Sequence, residues 1–425
     1  MKKLTFAAIS TLALLTAAPT LAQGFNDATL TQAGRNNVLD LTQTGTGGAV
    51  NVQQLGDWNG DNRLGATGTQ SGTGNDLLVV QRGNRNAFST VQERGNSNKI
   101  DLTQTNNGNY ASSEQIGGEN ATATVNQSGG FVGGFTRHVA VTTQNRTSDS
   151  QIKVTQTGLL QSATAEQMDN TRNDSKIVIE QAAVANTALA TQSNANNSTL
   201  YVGQFGALNI ANATQSRSTG TTGSIFQAGL SHVASVQQDR NVGSSTYLAQ
   251  IGVGNRAATI QTGSANSDIF ANQGLDNNLL FVRQAGSDGA QINVTQAGTG
   301  NDANITQTGS FGSGITLLQN NNNNSASLQQ NRAGASTITG IQTGEANVLL
   351  ANQIGGSLNT IVSTQTGDFN TANLTQNNAS WSTITSFQLG NSNTVNATQN
   401  TGTSNMILSA QLGNGNMATI TQGRR

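Results

Sequence analysis

Apolar and polar residues alternate along most of this chain, in short stretches that each end in a glutamine. In residues 290–296 the alternate positions are Ala290, Ile292, Val294 and Gln296, and the positions between them are polar. Because alternate residues of a β-strand share one face, this alternation predicts strands with one buried face. Further stretches of this kind are Asn301, Ala303, Ile305, Gln307; Ser313, Ile315, Leu317, Gln319; and Ser198, Leu200, Val202, Gln204. A helical period is absent, and Gly, Asn, Ser and Thr are poor helix formers, so helices are not expected.

The glutamines at the ends of these stretches define a repeat. Their intervals alternate between 11 and 12 residues from Gln181 to Gln422, so the full repeat is 23 residues. Upstream, longer steps at 54–70, 127–144 and 167–181 predict loop insertions. In all, 34 glutamines make about 17 repeats. Within the regular part, the glutamines that we expect to stack on one another are Gln204, Gln215, Gln227, Gln238, Gln250, Gln261, Gln273, Gln284, Gln296, Gln307, Gln319, Gln330, Gln342, Gln353, Gln365, Gln376, Gln388, Gln399, Gln411 and Gln422.

A second set of residues recurs five positions after alternate glutamines. Ten of its eleven members from residue 186 onward are Asn, and the eleventh is His232. We call this 23-residue series the asparagine column, and a small or aliphatic residue follows two positions after each member. The members that we expect to stack are Asn209, Asn255, Asn278, Asn301, Asn324, Asn347, Asn370, Asn393 and Asn416.

Each 23-residue unit therefore reads as strand, turn, strand, turn. Gly two positions after alternate glutamines, as in Gly252 and Gly344, marks a tight turn that needs a positive φ. Two short strands cannot bury a face alone, but stacked copies can, so we predict an all-β protein: a β-solenoid of cross-β, amyloid type with parallel, in-register coils. Stacked amides would bond up and down the stack, and because an unmatched buried amide costs about 1–3 kcal/mol, they would also fix the register.

Composition supports this fold class. Only 10% of the 425 residues are charged, the net charge is −1, and the 34% hydrophobic share is low for a globular core. The richness in Gly, Asn, Gln, Ser and Thr is typical of uncharged chains prone to cross-β assembly. Nothing in the charge balance indicates nucleic acid or anionic lipid as a partner. The chain has no cysteine, so disulfides cannot supply its stability.

The first residues resemble a secretory leader. Lys2 and Lys3 precede an apolar run over residues 4–18, and Thr20-Leu21-Ala22 is a small-x-small end. This arrangement predicts a signal peptide over residues 1–22, cleaved after Ala22. We expect residues 23–180 to hold less regular repeats with loop insertions, and residues 181–425 to hold regular ones. The last predicted strand, residues 417–422, is expected to leave an open strand edge.

The full repeat can be written S-x5-Q-x-G-x2-N-x-A-x3-Q, and residues 244–261 fit every position. This motif resembles the curlin repeat of curli subunits, the bacterial functional amyloids, over nearly all of the chain after residue 22. Familiar curli subunits have about five repeats, whereas this chain has about 17. The resemblance implies export, passage through an outer-membrane secretion pore, and polymerisation with itself, aided by a nucleating subunit, into cell-surface fibres that support adhesion, aggregation and biofilm matrix.

Chemistry of other kinds is not indicated. His138 and His232 form no site with carboxylates, and we interpret His232 as a structural substitution in the asparagine column. Without cysteines or clustered ligands no metal or cofactor is expected, and no catalytic cluster interrupts the repeat, so we expect neither an enzyme nor a small-molecule substrate. Scattered charges such as Arg283, Asp302 and Asp368 are expected on outer faces or turns. They would act as solvating groups, as gatekeepers against premature aggregation, or as contacts to an acidic surface.

The alternative function is a long monomeric β-solenoid that acts as an adhesin or a surface-binding rod. Ice binding would need a flat outer array of threonines. Thr recurs before the glutamines at Thr42, Thr103, Thr155, Thr295, Thr306, Thr375 and Thr421. The array is expected to be broken by Glu180, Arg283 and Leu318.

Overall fold

The computed structural model describes residues 4–9, 25–60, 65–129, 138–169 and 174–423, and for residues 4–9 it describes the backbone only. Over these residues the chain forms strands and turns without a helix. The chain divides into two compact units, residues 1–218 and 219–425.

The strands of the first unit are β1 (Leu4–Ile9), β2 (Asp27–Ala33), β3 (Asp40–Gln43), β4 (Ala49–Leu55), β5 (Ala66–Thr73), β6 (Asp76–Arg82), β7 (Ala87–Asn96), β8 (Lys99–Asn106), β9 (Tyr110–Ile116), β10 (Thr122–Gly129), β11 (Val139–Asn145), β12 (Gln151–Leu159), β13 (Ser162–Met168), β14 (Lys176–Val184), β15 (Thr187–Ser193), β16 (Thr199–Ala207) and β17 (Ile210–Ser216).

The strands of the second unit are β18 (Thr222–Leu230), β19 (Val233–Asp239), β20 (Ser245–Val253), β21 (Arg256–Thr262), β22 (Asp268–Gly274), β23 (Leu279–Ala285), β24 (Gln291–Ala297), β25 (Asp302–Thr308), β26 (Gly314–Asn320), β27 (Ser325–Asn331), β28 (Thr337–Thr343), β29 (Val348–Ile354), β30 (Thr360–Thr366), β31 (Thr371–Ser380), β32 (Thr383–Leu389), β33 (Thr394–Thr403), β34 (Met406–Leu412) and β35 (Met417–Gly423).

Each unit is a stack of two-stranded coils. From β2 onward, even-numbered strands pair in parallel with one another to form one sheet, and odd-numbered strands form the other. In the regular part a residue pairs with the residue 23 positions later, as Ile292 does with Ile315. The 34 strands from β2 to β35 make about 17 coils. The predicted fold, a parallel in-register β-solenoid with two strands per 23-residue coil, is confirmed.

The core lies between the two sheets of each unit. Burial alternates along the strands as the sequence pattern predicts: Ile292 and Val294 are buried, whereas Thr295 is half-buried and faces outward. Residue volumes compensate across the core. Gly340 has no side chain, and Leu349 Cδ2 of the facing sheet lies 2.5 Å from the point where a Cβ would stand. The sets of inner residues predicted around Gln204, Gln296, Gln307 and Gln319 are all buried.

The turns depend on residues with positive φ. In the turn after even-numbered strands, Gly344 has φ 119°, and a Cβ there would lie 2.2 Å from the Gly367 carbonyl oxygen of the next coil. Glycine is therefore needed both for its backbone conformation and for close approach between coils. The predicted turn glycines all have positive φ: Gly206, Gly229, Gly252, Gly298, Gly344, Gly367, Gly390 and Gly413. Bulky residues take the same region at other turn positions, including Trp381 at φ 56°.

The leader and the insertions lie mostly outside the described residues. Within the predicted leader, β1 pairs in parallel with β2, so cleavage after Ala22 would remove the strand beside β2. Residues 61–64, 130–137 and 170–173 fall in the three long steps where loop insertions are predicted, and they are among the residues not described.

Candidate functional site

The glutamines that end the strands form continuous side-chain ladders inside each unit. In the second unit, Nε2 of each glutamine donates to Oε1 of the glutamine in the next coil at 2.7–3.3 Å. One ladder holds Gln227, Gln250, Gln273, Gln296, Gln319, Gln342, Gln365, Gln388 and Gln411; the other holds Gln238, Gln261, Gln284, Gln307, Gln330, Gln353, Gln376, Gln399 and Gln422.

The first unit has two ladders of the same kind, with donor–acceptor distances of 2.6–3.0 Å. They run from Gln32 to Gln204 and from Gln43 to Gln215. The bonds continue across coils that contain the predicted insertions, as from Gln127 to Gln156. The ladders therefore keep their register across the longer steps.

Most of the ladder glutamines also donate to a backbone carbonyl. Gln319 Nε2 donates to the Asp302 carbonyl of the facing sheet at 3.1 Å, and Gln307 Nε2 donates to the Ser313 carbonyl of its own turn at 3.1 Å. An amide nitrogen has two hydrogens, so one serves the ladder and the other the backbone. Burying these amides is tolerable because both groups find partners.

The asparagine column uses the backbone more than the sequence suggested. Asn278 Oδ1 accepts the main-chain N–H of Asn301 in the next coil at 2.9 Å. Asn278 Nδ2 donates to the carbonyls of Gly274 and Gly298, both at 2.8 Å. The amide-to-amide contact that the sequence predicted also exists, from Asn278 Nδ2 to Asn255 Oδ1 at 3.1 Å. From Asn255 to Asn393, each asparagine of the column thus fastens its own turn to the next coil.

A hydrogen bond from the main-chain N–H of the later residue to Oδ1 of the earlier one links these successive pairs of the column, each at 2.9–3.1 Å: Asn186 to Asn209, Asn255 to Asn278, Asn278 to Asn301, Asn301 to Asn324, Asn324 to Asn347, Asn347 to Asn370, Asn370 to Asn393 and Asn393 to Asn416.

In the turn after odd-numbered strands, serines also form a column between coils. The hydrogen bonds of this serine column were not predicted from the sequence. Ser267 and Ala290 donate their main-chain N–H groups to the hydroxyls of Ser244 and Ser267, both at 3.1 Å. Ser336 donates in the same way to Ser313 at 3.1 Å. The signal was available, because a serine six residues before a glutamine is part of the repeat motif, but serine is abundant throughout the chain and the column does not stand out.

Both histidines of the chain occupy the asparagine column. His232 is 0% exposed and His138 is 3% exposed. His232 Nδ1 accepts the main-chain N–H of Asn255 at 3.2 Å, and its Nε2 lies 3.3 Å from the Ala228 carbonyl. His138 Nδ1 accepts the main-chain N–H of Gln161 at 3.3 Å, and its Nε2 lies 2.9 Å from the Gly158 carbonyl. These contacts fit a neutral imidazole protonated on Nε2, with Nδ1 and Nε2 in the places of the asparagine Oδ1 and Nδ2.

Burial lowers the pKa of both histidines below the ordinary value of 6.5. For His138 the hydrogen bond to the Gly158 carbonyl opposes this shift in pKa. For His232 the carbonyls of Ala228 and Gly252 and the charge of Asp276 oppose it. The contacts of His232 agree with its interpretation as a structural member of the column. His138 holds an equivalent position, which the regular spacing does not indicate because an insertion precedes it.

Among the described residues, most charged side chains lie on outer faces and turns, and Asp239 is a buried exception. Arg283 and Asp302 are exposed. In-register pairing places Arg283 beside Thr306 and Asp302 beside Leu279. Asp368 has a more specific contact, because its Oδ1 accepts the main-chain N–H of Glu345 in the preceding coil at 2.9 Å. Ion pairs such as Arg146–Asp169 at 2.8 Å are at the surface, where such pairs contribute about 0–1 kcal/mol.

The described residues contain no group of three His, Cys, Asp or Glu side chains that would hold a metal ion. In the same part of the chain, no helix is long and apolar enough to cross a membrane. Fold and side-chain ladders define this chain as a β-solenoid repeat protein. No protein-family model and no curated protein matches the sequence.

Proposed function

We propose that this protein is a secreted structural subunit that polymerises into extracellular, cell-surface fibres of the curli type, which support adhesion, aggregation and biofilm matrix. The observation that carries the proposal is the self-complementary interface between coils. Each coil receives from the coil before it the same hydrogen bonds that it gives to the coil after it. A coil whose outer edge is uncovered therefore offers to a second copy the bonds that its own neighbours use.

The last described coil has such an edge. Among the described strands, β34 pairs only with β32 and β35 only with β33. Large apolar side chains on this coil are exposed, with Met406 at 70% and Met417 at 75%. Gln422 Oε1 accepts from Gln399, and the direction of the ladder points its Nε2 toward an added coil.

The ladders give the proposed fibre a direction. Within each unit Nε2 donates toward the later coil, so the last coil of a unit presents donors, such as that of Gln422, and its first coil presents Oε1 acceptors, such as that of Gln43. Copies would join head to tail, with Gln411 and Gln422 of one copy facing the first coil of the next. Such heterologous contacts do not close on themselves and generate filaments. Removal of residues 1–22 would take β1 from the edge of β2 and open that coil to the join.

The proposed partners are other copies of this chain, a nucleating curli-type subunit and an outer-membrane secretion pore. The repeat motif, which resembles that of curli subunits, and the first residues, which resemble a secretory leader, support them. No nucleic acid, cofactor or small-molecule substrate is part of the proposal, and the function is structural, not enzymatic.

The threonine array of the surface-rod alternative is interrupted in the structure. In-register pairing places Thr155 beside Glu180, Thr306 beside Arg283, and Thr295 beside Leu318. A regular ice-binding surface is therefore not favoured. A monomeric adhesive rod is distinguished from a fibre subunit by its assembly behaviour.

Assembly is tested with the purified chain lacking residues 1–22. We expect a thioflavin T response with a lag that seeds remove, and a fibre reflection at about 4.7–4.8 Å. A chain that stays monomeric for days without either signal would contradict the proposal and favour the monomeric rod.

The role of the last coil is tested with the double variant Gln411→Glu and Gln422→Glu. Glutamate still accepts from Gln388 and Gln399, but it cannot donate to an added coil. We expect an unchanged circular dichroism spectrum and at least about a tenfold slower seeded elongation. The matched control is Gln329→Glu, because Gln329 is an exposed glutamine on the outer face. Equal elongation of the two variants would refute joining through this coil.

A further inference from the structure

The two histidines share one structural position, and this position demands an acceptor. In the asparagine column an Oδ1 faces the main-chain N–H of the next coil. At His232 and His138 the unprotonated Nδ1 takes this place. An asparagine amide does not titrate near neutral pH, whereas an imidazole does. The two substitutions therefore introduce titratable groups into a column whose other described members are uncharged amides.

We propose that the coils carrying His138 and His232 are acid-sensitive joints, which open locally at mildly acidic pH while the asparagine-bearing coils stay closed. This regulation goes beyond the proposed function and does not depend on fibre formation. It rests on the hydrogen-bond geometry of the two imidazoles and on their burial.

A second proton can bind each imidazole only at Nδ1. Nε2 already donates to a carbonyl, so protonation occurs on Nδ1, which faces the Asn255 N–H at 3.2 Å in one case and the Gln161 N–H at 3.3 Å in the other. Two donors would then face each other, and the backbone N–H would lose its acceptor. The imidazolium would also carry a charge in a buried position, which is costly without a partner.

Neighbouring charges do little to stabilise either buried imidazolium. Asp276 attracts a proton to His232, but its Oδ1 accepts the main-chain N–H of Val253 at 3.0 Å, and burial still dominates the shift in pKa. For His138, no charged side chain of the described residues contributes to the shift in pKa. The preceding member of its column makes no hydrogen bond to the His138 coil through its side-chain oxygen, because Asn109 Oδ1 is buried and has no hydrogen-bond partner among the described residues.

The direction of the pH effect follows from linkage. The open coil binds a proton with the ordinary pKa of 6.5, and the closed coil binds it only at a lower pH. The closed state is therefore fully stable above pH 6.5 and loses stability as the pH falls toward the lowered pKa of the buried imidazole. Each histidine raises the opening constant of its own coil by up to about tenfold per pH unit below 6.5.

Hydrogen exchange of the full soluble chain, corrected for the intrinsic pH dependence of amide exchange, measures this opening. Between about pH 7.5 and pH 5.0 we expect opening around β19 and β21, and around β11 and β13, to increase by up to about thirtyfold. Opening around β25 and β27, which follow the asparagines Asn301 and Asn324, should stay constant within about twofold.

Two reciprocal variants decide the matter. His232→Asn restores the residue that the column otherwise holds, and it should abolish the acid response of its coil while that of the His138 coil remains. Asn301→His should create a new acid response at β25 and β27, because Asn301 Oδ1 accepts the Asn324 N–H at 3.0 Å. The proposal is overturned if the coil at residue 232 still opens more at acidic pH in the His232→Asn variant. It is also overturned if the two histidine-bearing coils of the wild-type chain open no more at about pH 5.0 than at pH 7.5. The removal variant alone is sufficient for this decision should Asn301→His fail to fold.

Discussion

Gln329 and Gln330 provide a direct test of the ladder, because they are adjacent residues of one type on opposite faces of β27. Gln329 is exposed, whereas Gln330 is 0% exposed. Gln330 Oε1 accepts from Gln307 at 2.7 Å, and its Nε2 donates to Gln353 at 2.8 Å and shares its other hydrogen between the carbonyls of Ser336 and Gly314. Replacing it with alanine removes all of these contacts.

The expected loss of stability follows from the number of hydrogen bonds that Gln330 makes. Three hydrogen bonds of about 1 kcal/mol each disappear, and buried groups of Gln307 and Gln353 lose a partner at an added cost of about 1–2 kcal/mol. Gln330→Ala should therefore destabilise its coil by about 4–5 kcal/mol, which raises local opening by roughly three to four orders of magnitude. Gln329→Ala should change stability by no more than about 0.5 kcal/mol.

Hydrogen exchange of β27 and its neighbours β25 and β29 is the appropriate assay, since a long repeat stack need not unfold in one step. Urea midpoints of the two variants give an independent comparison. If Gln330→Ala and Gln329→Ala opened their coil to the same extent, the buried amides would not be a source of stability, and the reasoning from the ladder would be refuted.

Three further predictions use matched positions in the same unit. Leu349→Ala, which empties a buried site facing Gly340, should cost about 2–4 kcal/mol, whereas Leu350→Ala on the exposed face should cost less than about 1 kcal/mol; equal urea midpoints would contradict this. Gly344→Ala should cost more than about 2 kcal/mol because its Cβ would meet a carbonyl oxygen at 2.2 Å, and Gly263→Ala, at φ 59° with open space around it, should cost about 1 kcal/mol, both read from thermal unfolding. Trp381→Gly should raise stability by up to about 1 kcal/mol because the exposed indole sits on a backbone at φ 56°, and a lower melting temperature would show that the indole makes a contact that matters.

The regular parts of the fold were predictable because one physical rule repeats many times. Strand parity fixes which residues face inward, and the 23-residue period fixes the register, so the buried state of Ile292 and the partner of Gln296 both follow from counting. The hydrogen bonds of the glutamines could be anticipated as well, since an amide stacked on an identical amide has both a donor and an acceptor.

Contacts between side chains and the backbone could not be read from the same count. Asparagine is one methylene shorter than glutamine and lies at a turn, so its Oδ1 reaches the main-chain N–H of the next coil, as from Asn278 to Asn301. His138 escaped recognition because the insertion before it displaces it from the regular spacing, and only the stacked position of Gln161 shows its place in the column.

Successive coils make identical hydrogen bonds to one another, and this has a consequence for how the gene can change in length. Deleting residues 302–324 would join Asn301 to Ser325, and Asn301 would then present to the next coil the Oδ1 that Asn324 presents now. Duplication or loss of a whole 23-residue segment therefore leaves every remaining contact type intact, whereas a shift of a single residue within a strand turns its buried face outward. Such a gene can lengthen or shorten by unequal recombination without passing through an unfolded product.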